Sequence, residues 1–197
     1  MKIRLAKEQD SASLLEIYGP YIKDTSVSFE YEVPSVSEFA KRIQGVTEKY
    51  PWLVCEYDRE IVGYAYASKH RERAAYQWSV DVSVYINPNY HRMHIATALY
   101  TALTELLKLQ GYYNAYAGIT SPNAKSEGFH QSFGFEPIAV YHNVGYKFDI
   151  WHDVRWFELA LSEYSKKPEA PKAITELTGT KQYEEIIENA VAIIKKR

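Results

Sequence analysis

Along this chain the spacing of apolar residues switches between two and three-to-four, and each switch marks an element. The run Ser79-Val80-Asp81-Val82-Ser83-Val84-Tyr85-Ile86 alternates with period two and is rich in β-branched residues, which predicts a strand. Asn87-Pro88-Asn89 breaks it, because proline cannot donate to a ladder and asparagine tolerates turn geometry. After the basic loop Tyr90-His91-Arg92-Met93-His94, the residues Ile95, Ala98, Leu99, Ala102, Leu103, Leu106 and Leu107 fall three and four apart. That is one face of a helix over 95–109.

Upstream, residues 3–6 read as a short strand, and a helix opens at Glu8-Gln9-Asp10-Ser11 and ends near Gly19-Pro20. Tyr21 to Tyr31 is polar and aromatic. Ser35-Val36-Ser37-Glu38 has capping-box spacing ahead of Phe39, Ile43 and Val46, so a second helix begins about Ser35. Trp52 to Tyr57 and Ile61 to Ser68, joined through Asp58-Arg59-Glu60, carry a hairpin signal. Downstream, Gly111 ends the long helix and residues 113–119 read as a strand. Pro122-Asn123 opens a short helix with Phe129, His130 and Phe133, closed by Gly134, and the last strands are expected over 137–146 and 151–161. The sum is an α/β (α+β) domain over 1–164 with a mixed central sheet flanked by helices. A polar, proline-containing linker is expected over 165–180, followed by an amphipathic helix over 181–197 that packs back on the domain or on a partner.

Composition narrows the function classes. A hydrophobic fraction of 46% suits a globular domain with a proper core. A net charge of -2 gives no general reason to expect nucleic acid. The 18 tyrosines line either a cleft or a subunit interface; composition does not choose. Cys55 is the single cysteine, which leaves no intramolecular disulfide and no cysteine-built zinc site, and its apolar neighbours predict a buried, inert thiol. His91 and His94 are three apart with no third ligand nearby, so no metal is expected. Without a signal-peptide pattern or a stretch long enough to cross a bilayer, the expected address is the cytoplasm, with no membrane partner.

A strand that runs through a tight basic loop into a helix is a device for holding phosphate. The first turn of a helix has N–H groups without intrahelical partners, and the macrodipole adds partial positive charge there. An ordinary βα unit with a basic loop fits the spacing equally well. His91 to Ala96, however, resembles motif A of the GNAT acetyltransferases, Arg/Gln-x-x-Gly-x-Gly/Ala, which wraps the pyrophosphate of acetyl-CoA. His91 stands where Arg or Gln is usual, His94 replaces the glycine, and Ala96 is an accepted variant.

Further matches narrow the resemblance to the phosphinothricin acetyltransferase-like branch over roughly residues 1–161. They are Tyr50-Pro51-Trp52-Leu53-Val54, Ala75-Tyr76 with Trp78, Ser83-Val84-Tyr85, Leu99-Tyr100-Thr101, Pro122-Asn123, Phe129-His130, Gly134-Phe135, Gly145-Tyr146-Lys147 and Trp151-His152-Asp153-Val154. The branch implies a GNAT fold, a homodimer, and acetylation of a small amino-acid-like amine such as phosphinothricin or methionine sulfoximine. It implies acetyl-CoA held by Val84, Tyr85, Ile86, His91, Arg92, Met93, His94, Ile95, Ala96, Thr97, Asn123 and Ser126. Asn123 reads either as a pantetheine contact or as a helix cap. The substrate residues implied are Phe29, Arg73 and Tyr76, and the catalytic ones are Asp81, where glutamate is usual, and His130.

The chemistry asks for such residues independently. An amine attacks a thioester only when neutral, so a carboxylate, directly or through water, is a reasonable base. The carbonyl oxygen that gains charge needs a donor, for which a backbone N–H near Val82 to Val84 would serve. The leaving thiolate benefits from an acid, and His130 reads as acid, base or both. Other acceptors (a polyamine, an aminoglycoside, a protein N-terminus) and a non-catalytic acetyl-CoA-binding role remain open.

Overall fold

The computed structural model describes residues 1–195. Strands Lys2–Leu5 (β1), Trp52–Tyr57 (β2), Glu60–Lys69 (β3), Ser79–Ile86 (β4), Asn114–Ser121 (β5), Glu136–Lys147 (β6) and Ile150–Ala160 (β7) form one sheet in the order β1-β2-β3-β4-β5-β7-β6. Every neighbouring pair is antiparallel except β4 and β5. Those two are joined by the crossover helix that parallel strands require. The helices are Ser11–Lys23 (α1), Val36–Thr47 (α2), Ile95–Gln110 (α3), Ala124–Phe133 (α4), Ile174–Leu177 (α5) and Lys181–Ile193 (α6).

The alternation along β4 decides which face each helix covers. Val80, Val82 and Ile86 join Ala98, Leu99, Leu103 and Leu106 of α3 in one buried cluster. On the opposite face Tyr85 packs on a second cluster built from Leu14, Ile17, Tyr18 and Ile22 of α1 with Phe39 and Ile43 of α2. Asp81 and Ser83 share the Tyr85 face by the period of two. One face of the sheet thus belongs to α3 and the other to α1 and α2.

Expected starts and stops are found with two differences. Ser35 caps α2 as predicted: its Oγ accepts from the Glu38 N–H at 3.3 Å, and the Glu38 carboxylate accepts from the Ser35 N–H at 2.8 Å. Helix α1, expected to end near Gly19-Pro20, continues to Lys23. Proline forfeits one backbone bond, and the turn that follows it buries Ile22 to 1% exposure, which offsets the loss. Segment 165–180, expected as a linker, contains α5, whose Ile174 is fully buried. The Gln110 amide ties the segment down by donating to the carbonyls of Lys49 and Lys172. Helix α6 packs Tyr183, Ile187 and Ala190 into the α3 cluster. Residues 196 and 197 of the helix expected over 181–197 lie outside the described residues.

Candidate active site

A gap in the sheet organises the site. The β4–β5 ladder pairs Ser79 with Asn114, Val80 with Ala115 and Asp81 with Tyr116, and there it stops. Beyond it β4 runs to Ile86 and β5 to Ser121 without pairing to each other among the described residues. The two strands splay, and the cleft between them, of about 60 Å³, is lined by Val82 to Tyr85, Ala117 to Thr120, Tyr100, Asn123, Ser126, His130 and Val27. Backbone groups on the diverging edges are thereby left for a ligand.

The loop that leads into α3 sits at the open end of β4. Arg92 and His94 both have positive φ, 65° and 60°, and His94 is the N-cap of α3 in the left-handed conformation. This explains the glycine in the resembled motif: the backbone must turn left-handed at this position, and histidine is among the few residues that tolerate it. The side chains of His91, Arg92 and His94 are exposed around the unpaired N–H groups of the first helical turn, an arrangement that fits a diphosphate. Ala96 and Thr97 lie on that turn, half-buried. Met93, Ile95 and Ile86, also expected at the coenzyme, send their side chains into the core at 6%, 2% and 9% exposure. Only their backbone is available to a ligand. The Met93 carbonyl accepts from the Lys195 N–H, so the end of α6 braces the loop.

His130, expected as catalytic, is buried at 4% exposure on the α3 side of the cleft. Its Nδ1 lies 2.8 Å from the Ser126 carbonyl, which makes it an N–H donor there, and Nε2 accepts from the Tyr100 hydroxyl at 3.0 Å. Burial pushes its pKa down, the Ser126 bond opposing, so the ring is neutral with both nitrogens engaged. Tyr100, read from sequence only as part of a matching stretch, supplies a hydroxyl on the cleft wall. Asn123 takes the capping role: its Oδ1 accepts from the Ser126 N–H at 3.2 Å, while the residue also lines the cleft.

Asp81 lies on the other face of β4, half-buried, and it has a partner that no motif in the sequence announces. Its Oδ1 is 2.6 Å from His70 Nδ1. Burial raises the carboxyl pKa, and the bond to His70 and the charge of Arg71 only partly pull it back. The His70 ring stacks on Tyr116 at 4.5 Å, with Tyr76 edge-on at 6.1 Å. Tyr76 is thus at Asp81's side of the sheet. Arg73, two residues past Arg71, is exposed, and its guanidinium has no hydrogen-bond or ion-pair partner among the described residues.

Phe29 is placed elsewhere, over the far end of the β6–β7 hairpin. It covers Gly145, where an added Cβ would meet the ring, and lies 6.1 Å from the His152 ring. The buried Lys147 ammonium holds this loop, donating to the carbonyls of Ile22, Thr25 and Ser28 at 2.6, 3.0 and 2.6 Å. Cys55 is fully buried and burial pushes its thiol up to about 12, so it is inert as expected.

Comparison with known proteins places this geometry. Residues 3–156 match the family described as acetyltransferase (GNAT) domain. The chain is 32% identical over 158 residues to phosphinothricin N-acetyltransferase of Streptomyces viridochromogenes, covering 80% of this chain and 86% of that protein. It is 29% identical over 170 residues to the L-methionine sulfoximine/L-methionine sulfone acetyltransferase of Salmonella typhimurium, covering 84% and 97%. A phosphinothricin acetyltransferase of Sinorhizobium meliloti, solved with acetyl-CoA, superposes with a TM-score of 0.80 at 30% identity, over 85% of this chain and 92% of that one. With these matches, the chain belongs to the GNAT family of acetyltransferases.

Proposed function

We propose that this chain transfers the acetyl group of acetyl-CoA to the amine of a small amino-acid-like acceptor of the phosphinothricin or methionine sulfoximine type. The observation that supports the reading is the end of the β4–β5 ladder at Asp81, one residue before the cleft lining begins at Val82, with the left-handed loop into α3 following the end of the same strand. Bound acetyl-CoA supplies an acyl group already activated as a thioester. The first turn of α3 with Arg92, His91 and His94 holds the diphosphate, and the unpaired edge of β4 from Val82 to Tyr85 aligns the pantetheine and offers an N–H to the carbonyl oxygen. Asp81, directly or through the group it holds, serves the uptake of the amine's proton, and Arg73 and Tyr76 receive the acceptor's acidic group. Tyr100, its hydroxyl hydrogen committed to neutral His130, shapes the opposite wall of the cleft. Direct attack needs only this positioning and no covalent enzyme species.

The test is thiol release with a panel of phosphinothricin, methionine sulfoximine, methionine sulfone and free amino acids. Silence across the panel counts against the reading. Turnover of peptides alone would move the acceptor to a protein N-terminus, and turnover of polyamines or aminoglycosides alone would move it to those amines. Tight acetyl-CoA binding in calorimetry without turnover of any amine would leave a binding protein. The reading carries a homodimer with it, formed over the exposed apolar residues Ile138, Val140, Val144, Ile150 and Trp151 of β6 and β7. It also carries a cytoplasmic address, where the thioester donor is at hand; no described helix is long and apolar enough to cross a membrane.

A further inference from the structure

Asp81 does not stand alone as a base, an inference that rests on the acetyl transfer just proposed. Its carboxylate is committed to His70. With the carboxylate ionised, a 2.6 Å contact between Oδ1 and Nδ1 requires the hydrogen on Nδ1, so the imidazole donates. The other ring nitrogen, Nε2, is then left with a lone pair. It has no hydrogen-bond partner among the described residues and is not sealed from solvent.

The ring is also fixed in place. Tyr116 lies under it at an interplanar angle of 24°, and Tyr76 and Trp156 meet it edge-on at 6.1 and 6.2 Å. Tyr116 is itself anchored, its hydroxyl donating to Glu158 at 2.9 Å. Asp81 and Tyr116 are the last pair of the ladder, so the imidazole bridges β4 and β5 at the point where they part. The charged and titratable groups around it are Asp81 and Arg71, Tyr76 ahead of β4, Tyr116 on β5 and Glu158 on β7.

We propose that His70 Nε2 is the base that deprotonates the acceptor amine, with Asp81 orienting the ring and stabilising the imidazolium. The pair replaces the single glutamate that the family resemblance implies. The aspartate's short side chain suits this arrangement, since an added methylene would drive the carboxylate into a ring already clamped between aromatics. Nε2 takes one proton from the acceptor's ammonium group and loses it to solvent. The freed nitrogen pair forms the C–N bond to the acetyl carbon as the C–S bond breaks, its electrons leaving on sulfur. The nitrogen's surplus proton passes to Nε2, and the thiolate takes one from water. His130 does not compete for this work, because both of its nitrogens are engaged.

His70→Asn keeps a donor for Asp81 and lacks a base. Its kcat/KM for the amine should fall about 100-fold or more, with KM for acetyl-CoA and the melting temperature unchanged. The acidic limb of the kcat/KM–pH profile should flatten, which a purely structural role would not produce. His70→Ala should regain activity in proportion to added imidazole. Nitrogen NMR of the wild-type protein should show the Nδ1–H tautomer at His70. A wild-type enzyme that turns over the panel while His70→Asn keeps both rate and limb overturns the dyad and leaves the proposed function standing. A wild-type enzyme that turns over nothing overturns both, and an Nε2–H tautomer overturns the dyad whatever the activity.

Discussion

His94 holds a backbone conformation that most side chains avoid, at φ 60° and ψ 20°. A non-glycine residue there costs about 1 kcal/mol. His94→Gly should therefore stabilise the fold by up to about 1 kcal/mol in calorimetric unfolding. A lower melting temperature would show that the imidazole makes a contact worth more than the strain. His130 gives a pH signature. Burial holds its folded pKa below the unfolded value of about 6.5, so in the window between the two the unfolded chain binds the extra proton. Stability is then full above about pH 6.5 and lost as pH falls through that window, by about 1.4 kcal/mol per unit. Denaturant midpoints between about pH 7.5 and 5 should show this slope, and His130→Gln should flatten it; an equal slope in the variant would place the titration elsewhere. At this scale the sequence marked His94 as a departure from glycine but not its φ. It missed His70, which lies eleven residues from Asp81 and meets it only because β3 and β4 pair antiparallel. Laying the two predicted strands against each other was the signal that would have found it.

The loop bearing Phe29 is an element held from outside. Lys147 fastens it by three carbonyls, and Gly145 gives Phe29 room that a side chain would fill. Gly145→Ala should push the ring aside and raise KM for the amine several-fold while leaving KM for acetyl-CoA alone, in steady-state kinetics with each substrate varied in turn. Equal effects on both would mean that the loop serves the whole cleft. Regular elements were legible because their signals are local: the Ser35 cap and the 95–109 stripe both hold. Helix α1 past Pro20 and the buried Ile174 were not, because each is decided by burial against residues remote in sequence.

Across the whole molecule, the sheet turns one parallel junction into a cleft by letting it open. Where a ladder stops depends on what packs on each side of it, so the splay could be expected only through family likeness. The β6–β7 ribbon leaves Ile150 and Trp151 at 59% and 60% exposure. If a second copy covers them, Trp151→Glu should shift sedimentation from dimer to monomer; a wild-type monomer at high concentration would remove the need for a partner there.

Lys147 spends all three of its ammonium hydrogens on carbonyls of the neighbouring loop. An amine-reactive label will therefore pass it by while the loop stays shut. The slow acylation of this lysine, followed by peptide mass mapping, becomes a clock for how often the loop lifts off the sheet.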